Sequence, residues 1–165
     1  MECRDYASAR VSWMAGTEVE RAHPEDVPVL SALLTKFFSE EGFEVLEEGL
    51  EARLAGYESM PHHAVFAARD GDGLVGAVTV TSNFGLEYGW AAELEDLYVL
   101  PEHRGAGVAG ALVRAAARWA RDDGCTALLV TVTPEGQEAH DLVGFYRHLG
   151  FSDDGRRILE LDLRR

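Results

Sequence analysis

Residues 101–112, PEHRGAGVAGAL, set one arginine and three glycines between a run of strand formers and a run of helix formers. A strand that passes through a glycine-rich turn into a helix start leaves unpaired backbone N–H groups pointing outward, where the helix dipole favours negative charge. Glycines let a phosphate approach those amides closely. The same segment also fits a tight strand-to-helix turn whose glycines serve close packing. It matches neither the G-x-G-x-x-G dinucleotide fingerprint nor the G-x-x-x-x-G-K-[ST] P-loop.

Charge bears on the choice. The chain has 15 Lys and Arg against 29 Asp and Glu, a net charge of −14. That balance argues against nucleic acid as a partner, because sequence-independent affinity for DNA or RNA rests on basic contacts to phosphates. A cationic partner is favoured. Yet between residues 103 and 121 there are four arginines and no acid, so an anion finds a local site within the negative field.

At 165 residues and 47% hydrophobic, the chain has the size and composition of one compact domain. Residues 1–16 show no clear period and read as a flexible N-terminal extension to a single domain at 17–165. Cys3 and Cys125 make neither a disulfide framework nor a paired metal motif, which suits a reducing, cytoplasmic compartment. Cys125 reads as a small buried hydrophobe. No apolar run approaches the roughly 18 residues of a membrane span, and no apolar signal core opens the chain, so no membrane association is expected.

Periodicity gives the order of elements. Residues 17–22 read as a short strand, and His23-Pro-Glu-Asp as a helix entry. Val27, Leu30, Leu33, Leu34, Phe37 and Phe38 then recur at helical spacing until Gly42. A second helix is expected over 46–56, with Leu46, Leu50 and Leu54 on one face and a solvated acidic face opposite. Residues 64–68 and 74–81 form an antiparallel pair around Asp70-Gly-Asp-Gly, and 90–100 is another strand. Helix 107–121 carries Val108, Ala111, Leu112, Ala115, Ala116 and Trp119 on one stripe. Residues 127–133 suit a strand buried on both faces beside a parallel neighbour. A helix at 137–149 and a final strand at 158–163 complete a β-α-α-β-β-β-α-β-α-β order, hence an α/β fold with a mixed central sheet and helices on both faces.

Arg104-Gly-Ala-Gly107-Val-Ala109 resembles the acetyl-CoA signature of the GNAT superfamily of N-acetyltransferases, [Gln/Arg]-x-x-Gly-x-[Gly/Ala]. The resemblance extends to Leu94-Glu-Asp-Leu-Tyr-Val99 before it, to the following helix, to the strand near Leu128 and to Gly144-Phe-Tyr146-Arg-His-Leu-Gly-Phe151. The run from Leu94 to Gly105 is similar in particular to the polyamine acetyltransferase branch. At places where many relatives have an asparagine and an alanine before the Phe-Tyr pair, this chain has Ala139 and Leu142, with His140 beside the first.

The resemblance implies acetyl-CoA as co-substrate. The backbone of Leu97, Tyr98 and Val99 would pair with its pantetheine arm, with His140 or backbone adding polar contact. The backbone amides of Arg104, Gly105, Ala106, Gly107, Val108, Ala109 and Gly110 would cap its pyrophosphate, with a direct charge contact from Arg104. Tyr146 takes the place of the acid that protonates the departing thiolate. Glu95 takes the place of the base, acting through water, with Glu93 second and Asp96 placed to hold a second ammonium. Strand alternation puts Glu93 and Glu95 on one face and Leu94, Asp96 and Tyr98 on the other, unless a bulge intervenes. Tyr57 and Tyr98 read as structural side chains.

Adjacent His62 and His63 point to opposite faces of a strand and His103, His140 and His148 lack ligand spacing, so no metal is expected. The leading expectation is an N-acetyltransferase acting on a primary amine of a small cationic molecule, polyamine-like or aminoglycoside-like. Protein N-terminal or lysine acetylation and non-catalytic acyl-CoA sensing are the alternatives. The family suggests a homodimer.

Overall fold

The computed structural model describes residues 11–13, 17–43, 47–153, 155–156, 158–159, 161 and 163; side chains are described from residue 17 onward, except at 47 and 48. Leu46, expected on the second helix, lies outside the described residues. The chain divides into two compact units, Met1–Val130 and Thr131–Arg165.

Among the described residues, the first unit is built on a six-stranded sheet in the order β1 (Val11–Trp13), β2 (Thr17–Arg21), β3 (His63–Asp70), β4 (Gly73–Gly85), β5 (Gly89–Val99) and β6 (Ala127–Val130). All pairs are antiparallel except β5 with β6. Strand β1 lies inside the segment read from sequence as an extension, and pairs Val11 with Val19 and Trp13 with Thr17. The mixed sheet follows from chain order: tight turns join β3 to β4 and β4 to β5, whereas a helix must carry the chain back to a parallel β6.

Helix α1 (Val27–Glu40) follows a 3-10 turn at Pro24–Asp26, where Asp26 Oδ2 accepts from the His23 N–H at 2.9 Å. Leu30, Leu33 and Leu34 of α1 and Leu50 and Leu54 of α2 (Glu47–Ser59) are buried with Val65, Ala67, Ala77 and Tyr98, and Phe37 and Phe38 pack against them. Helix α3 (Val108–Asp122) covers the other face, and all six residues of its expected stripe are buried. Gly76 shows how close that packing is: a Cβ there would meet Tyr98 O at 2.9 Å and Leu112 Cδ1 at 3.2 Å. Because Gly76 faces α3, its neighbour Ala77 faces α1 and α2.

Strand β6 is shorter than expected and is not buried on both faces, since Leu129 is 41% exposed. Among the described residues it is the last strand of the sheet, with one paired neighbour, β5. Among the described residues, no helix is long and apolar enough to cross a membrane.

In the second unit, the single helix expected over 137–149 is two short ones, α4 (Pro134–His140) and α5 (Leu142–His148). The break is at Asp141, left-handed at φ 47°, a conformation that aspartate tolerates better than most residues. Gln137 spans it, donating to Asp141 Oδ1 at 3.0 Å and accepting from the Val143 N–H at 2.7 Å. The final strand does not form among the described residues: Ile158, Leu159 and Leu161 are unpaired and 68–92% exposed. Alternation alone does not make a strand without a ladder partner.

Candidate active site

The register of β4 against β5 breaks once. Val78 pairs with Leu97 and Val80 with Leu94, so Thr79 alone opposes both Glu95 and Asp96. This is a β-bulge in β5, and it re-aims side chains that strict alternation would send to opposite faces. Thr81 pairs with Glu93 and donates its hydroxyl to Glu95 Oε1 at 2.8 Å. Thr79 donates to Asp96 Oδ2 at 2.8 Å and accepts from the Asp96 N–H at 3.0 Å. Thr79 and Thr81 share the face of Ala77, so Glu93, Glu95 and Asp96 all turn toward the α1 and α2 side. The bulge therefore overrides the two-faced arrangement expected from alternation.

The three acids differ in surroundings. Glu95 is exposed. Asp96 is enclosed, and burial pushes its carboxyl above the usual carboxylate range; the Thr79 hydrogen bond opposes that and the charge of Glu95 adds to it. Glu93 lies toward the β4–β5 hairpin and lines a cleft with Leu86, Tyr88 and Leu129. Tyr57 of α2 reaches the same face: Thr79, Glu95 and Asp96 all act on its hydroxyl, and burial foremost raises its pKa. The sequence does not by itself set Thr79 and Thr81 beside these acids, since only the β4–β5 register brings them together.

Pairing of β5 with β6 runs from Ala91–Ala127 to Leu94–Val130 and stops where the bulge begins. Leu97, Tyr98 and Val99 continue along β4 without a β6 partner, leaving a strand edge for an extended ligand. Beyond them, Gly105 and Gly107 are both left-handed, at φ 77° and 83°, and a Cβ at either would meet nothing within 4 Å. These glycines thus answer to backbone conformation and to open space rather than to packing. Gly107 caps α3 without a side chain, the first turn holds no acid, and the first N–H to bond back is Ala111, to Gly107 O at 3.0 Å. The amides of Val108, Ala109 and Gly110 therefore have no partner within the helix. Amides without a helical partner, following a turn whose two glycines leave open space, fit a pyrophosphate.

Arg104 is engaged elsewhere. Its guanidinium donates to Val99 O at 2.9 Å and to Glu40 Oε2 at 2.7 Å, and lies over the Tyr98 ring. Tyr98 donates to the other Glu40 oxygen at 2.5 Å. This ties the glycine turn and the end of β5 to α1, so Arg104 acts on the turn through its shape.

In the second unit, Tyr146 is buried in α5 between Phe145 and Phe151, with ring centroids 5.0 and 5.2 Å away. The helix ends at Gly150, φ 97°, and the Phe151 N–H returns to Tyr146 O at 3.0 Å. Burial pushes the Tyr146 hydroxyl up to about 12. His140 is exposed in the last turn of α4.

Residues 29–151 match the Acetyltransferase (GNAT) family, and the chain belongs to that family. It is 40% identical over 60 residues to the thialysine N-epsilon-acetyltransferase of Bos taurus, a match spanning 36% of this chain and 34% of that protein. An integron cassette protein from the mobile metagenome of Cole Harbour Salt Marsh superposes with a TM-score of 0.78 at 29% identity, covering 89% of this chain and 91% of its own. The aminoglycoside N-acetyltransferase AAC(6')-Iy, solved in complex with CoA, shares the fold with a TM-score of 0.79 at 19% identity, covering 93% and 99%.

Proposed function

We propose that the protein moves an acetyl group from acetyl-CoA to a primary amine of a small cationic molecule, polyamine-like or aminoglycoside-like. The observation that carries this reading is the bulge, which gathers three carboxylates on one face where the β5–β6 pairing ends. Relatives named for thialysine and for aminoglycosides support an amine as acceptor.

When bound, acetyl-CoA supplies an acetyl group activated as a thioester. The amides of Val108, Ala109 and Gly110 hold its pyrophosphate, and the edge of Leu97, Tyr98 and Val99 aligns its extended arm. Glu95 Oε takes the proton of the acceptor ammonium. An alkylammonium has a pKa near 10.4, far above that of a carboxylate, so a water between them eases a transfer that is uphill when direct. Tyr146 Oη, neutral because burial holds its proton, provides a proton for the departing sulfur. We further propose that the protein acts as a cytoplasmic homodimer.

The test is release of free CoA thiol with a panel of diamines, aminoglycosides, lysine analogues and peptides. Amine-dependent release that Glu95→Gln abolishes, or shifts to higher pH, supports the reading. Calorimetric binding of acetyl-CoA with no stimulation by any amine overturns it.

A further inference from the structure

We propose that Glu40 is a positioning residue of the cofactor cradle: from the last turn of α1 it fixes Arg104 and Tyr98, and so holds the glycine turn in the shape that receives the pyrophosphate of acetyl-CoA. This rests on the cofactor reading above and adds to it a residue 64 positions away in sequence from Arg104, outside the motif that marks the turn.

Glu40 is the last residue of α1, and the last turn of that helix holds no basic residue. A carboxylate there meets the unfavourable end of the helix dipole, so helix formation does not account for it. Two donors from outside the helix do. Tyr98 Oη donates to Glu40 Oε1 at 2.5 Å and Arg104 Nη2 donates to Oε2 at 2.7 Å, so one oxygen is held from β5 and the other from the turn. Phe37, one helical turn earlier, packs against the Tyr98 ring with centroids 5.6 Å apart. Ring and hydroxyl of Tyr98 are thus both held by α1.

The turn has little to hold itself. Gly105, Ala106 and Gly107 carry no polar side chain, and the two glycines are left-handed with open space where a Cβ would point. Such a segment gives up much conformational freedom in taking one shape, and a ligand that must impose the shape binds less tightly. Arg104 is the adjoining anchor, and its guanidinium is turned back from the cradle: Nε donates to Val99 O at 2.9 Å, Nη2 to Glu40, and the group lies 5.4 Å from the centre of the Tyr98 ring. With its charge met by Glu40, Arg104 serves the pyrophosphate by fixing the backbone beside it. The two side chains are 37% and 43% exposed, so water screens the pair and the effect of losing it is modest; three contacts on one guanidinium make it larger than that of an isolated surface pair.

The experiment titrates acetyl-CoA calorimetrically into wild type, Glu40→Gln, Arg104→Ala and the double variant. Glutamine keeps the size of the side chain but cannot accept from both donors, so Glu40→Gln should fold as wild type does and weaken acetyl-CoA binding about three- to tenfold. In the Arg104→Ala background the same change should cost less than about twofold, because Glu40 acts through Arg104. A role in stability alone would not give that dependence. With any amine that turns over, the KM for acetyl-CoA should rise and the KM for the amine should hold. If no amine is acetylated yet Glu40→Gln weakens acetyl-CoA binding in this Arg104-dependent way, the reaction reading fails and the role of Glu40 stands. Unchanged affinity, an equal loss in both backgrounds or no acetyl-CoA binding by wild type overturns it. Tighter binding by Glu40→Gln also overturns it, since Glu40 would then be competing with the pyrophosphate for Arg104.

Discussion

Thr79 Oγ1 donates to Asp96 Oδ2 at 2.8 Å and accepts from the Asp96 N–H at 3.0 Å, so one hydroxyl holds both the side chain and the backbone of the bulged residue. Thr79 is 3% exposed, and water cannot readily replace it. Thr79→Val keeps the shape and removes both bonds, leaving an enclosed carboxylate and an N–H unpaired at a cost of about 1–3 kcal/mol. Thermal unfolding should shift down by about 2–4 °C for each kcal/mol lost, and amine-dependent thiol release should fall with it. Thr79→Ser should restore both; a valine variant with wild-type melting and activity would remove Thr79 from the site.

That relationship was not legible in the sequence, and the reason is physical. A bulge is a mismatch in count between two strands, so it belongs to the pairing of Val78 with Leu97 and Val80 with Leu94 and to neither strand alone. Reading β5 by itself sends Asp96 away from Glu95. By contrast, the glycine turn and the stripe of α3 were legible because both are local: two left-handed glycines, a helix start and a 3.6-residue period need no partner to be recognised. The break at Asp141 and the lack of a strand among the described residues 158, 159 and 161 escaped the sequence for the opposite reasons. One is a left-handed residue inside a helical pattern, the other a strand pattern without a ladder.

The glycine turn makes its own prediction. Gly107 sits at φ 83° with open space where a Cβ would point, so Gly107→Val loses in two ways. A β-branched residue strains the left-handed conformation by about 1–2 kcal/mol, and the added bulk fills the open space at the turn. Acetyl-CoA affinity measured by calorimetry should weaken about tenfold or more, the equivalent of about 1.4 kcal/mol. Unchanged affinity would place the pyrophosphate elsewhere.

Three tyrosines set an alkaline limit. Burial raises the pKa of Tyr57, pushes Tyr146 up to about 12, and with the Glu40 hydrogen bond pushes Tyr98 to about 12 as well. Each folded pKa lies above the unfolded value near 10, so the unfolded chain loses its protons first as pH rises. Stability is fully present below about pH 10 and declines above it, by up to about 1.4 kcal/mol per pH unit for each tyrosine. Urea unfolding between pH 8 and 11.5 should show this fall, shallower in Tyr98→Phe; a flat profile would mean that the hydroxyls are not enclosed.

Tyr146 faces a different demand, because its proposed role requires a hydroxyl that keeps its proton at working pH and directs it at the departing sulfur. A hydroxyl pushed up to about 12 is neutral at pH 7, and because a thiolate is a weaker base than that phenolate, Tyr146 serves the departing sulfur as a hydrogen-bond donor before any full transfer. Tyr146→Phe removes the proton while keeping the ring between Phe145 and Phe151, so melting temperature and acetyl-CoA affinity should hold while kcat drops by about 10²–10⁴-fold, the range general acid catalysis supplies. The loss should be smaller for acyl donors whose thiol leaves more readily, because a better leaving group needs less help. An unchanged kcat, or an equal loss for every donor, would assign protonation of the sulfur to water.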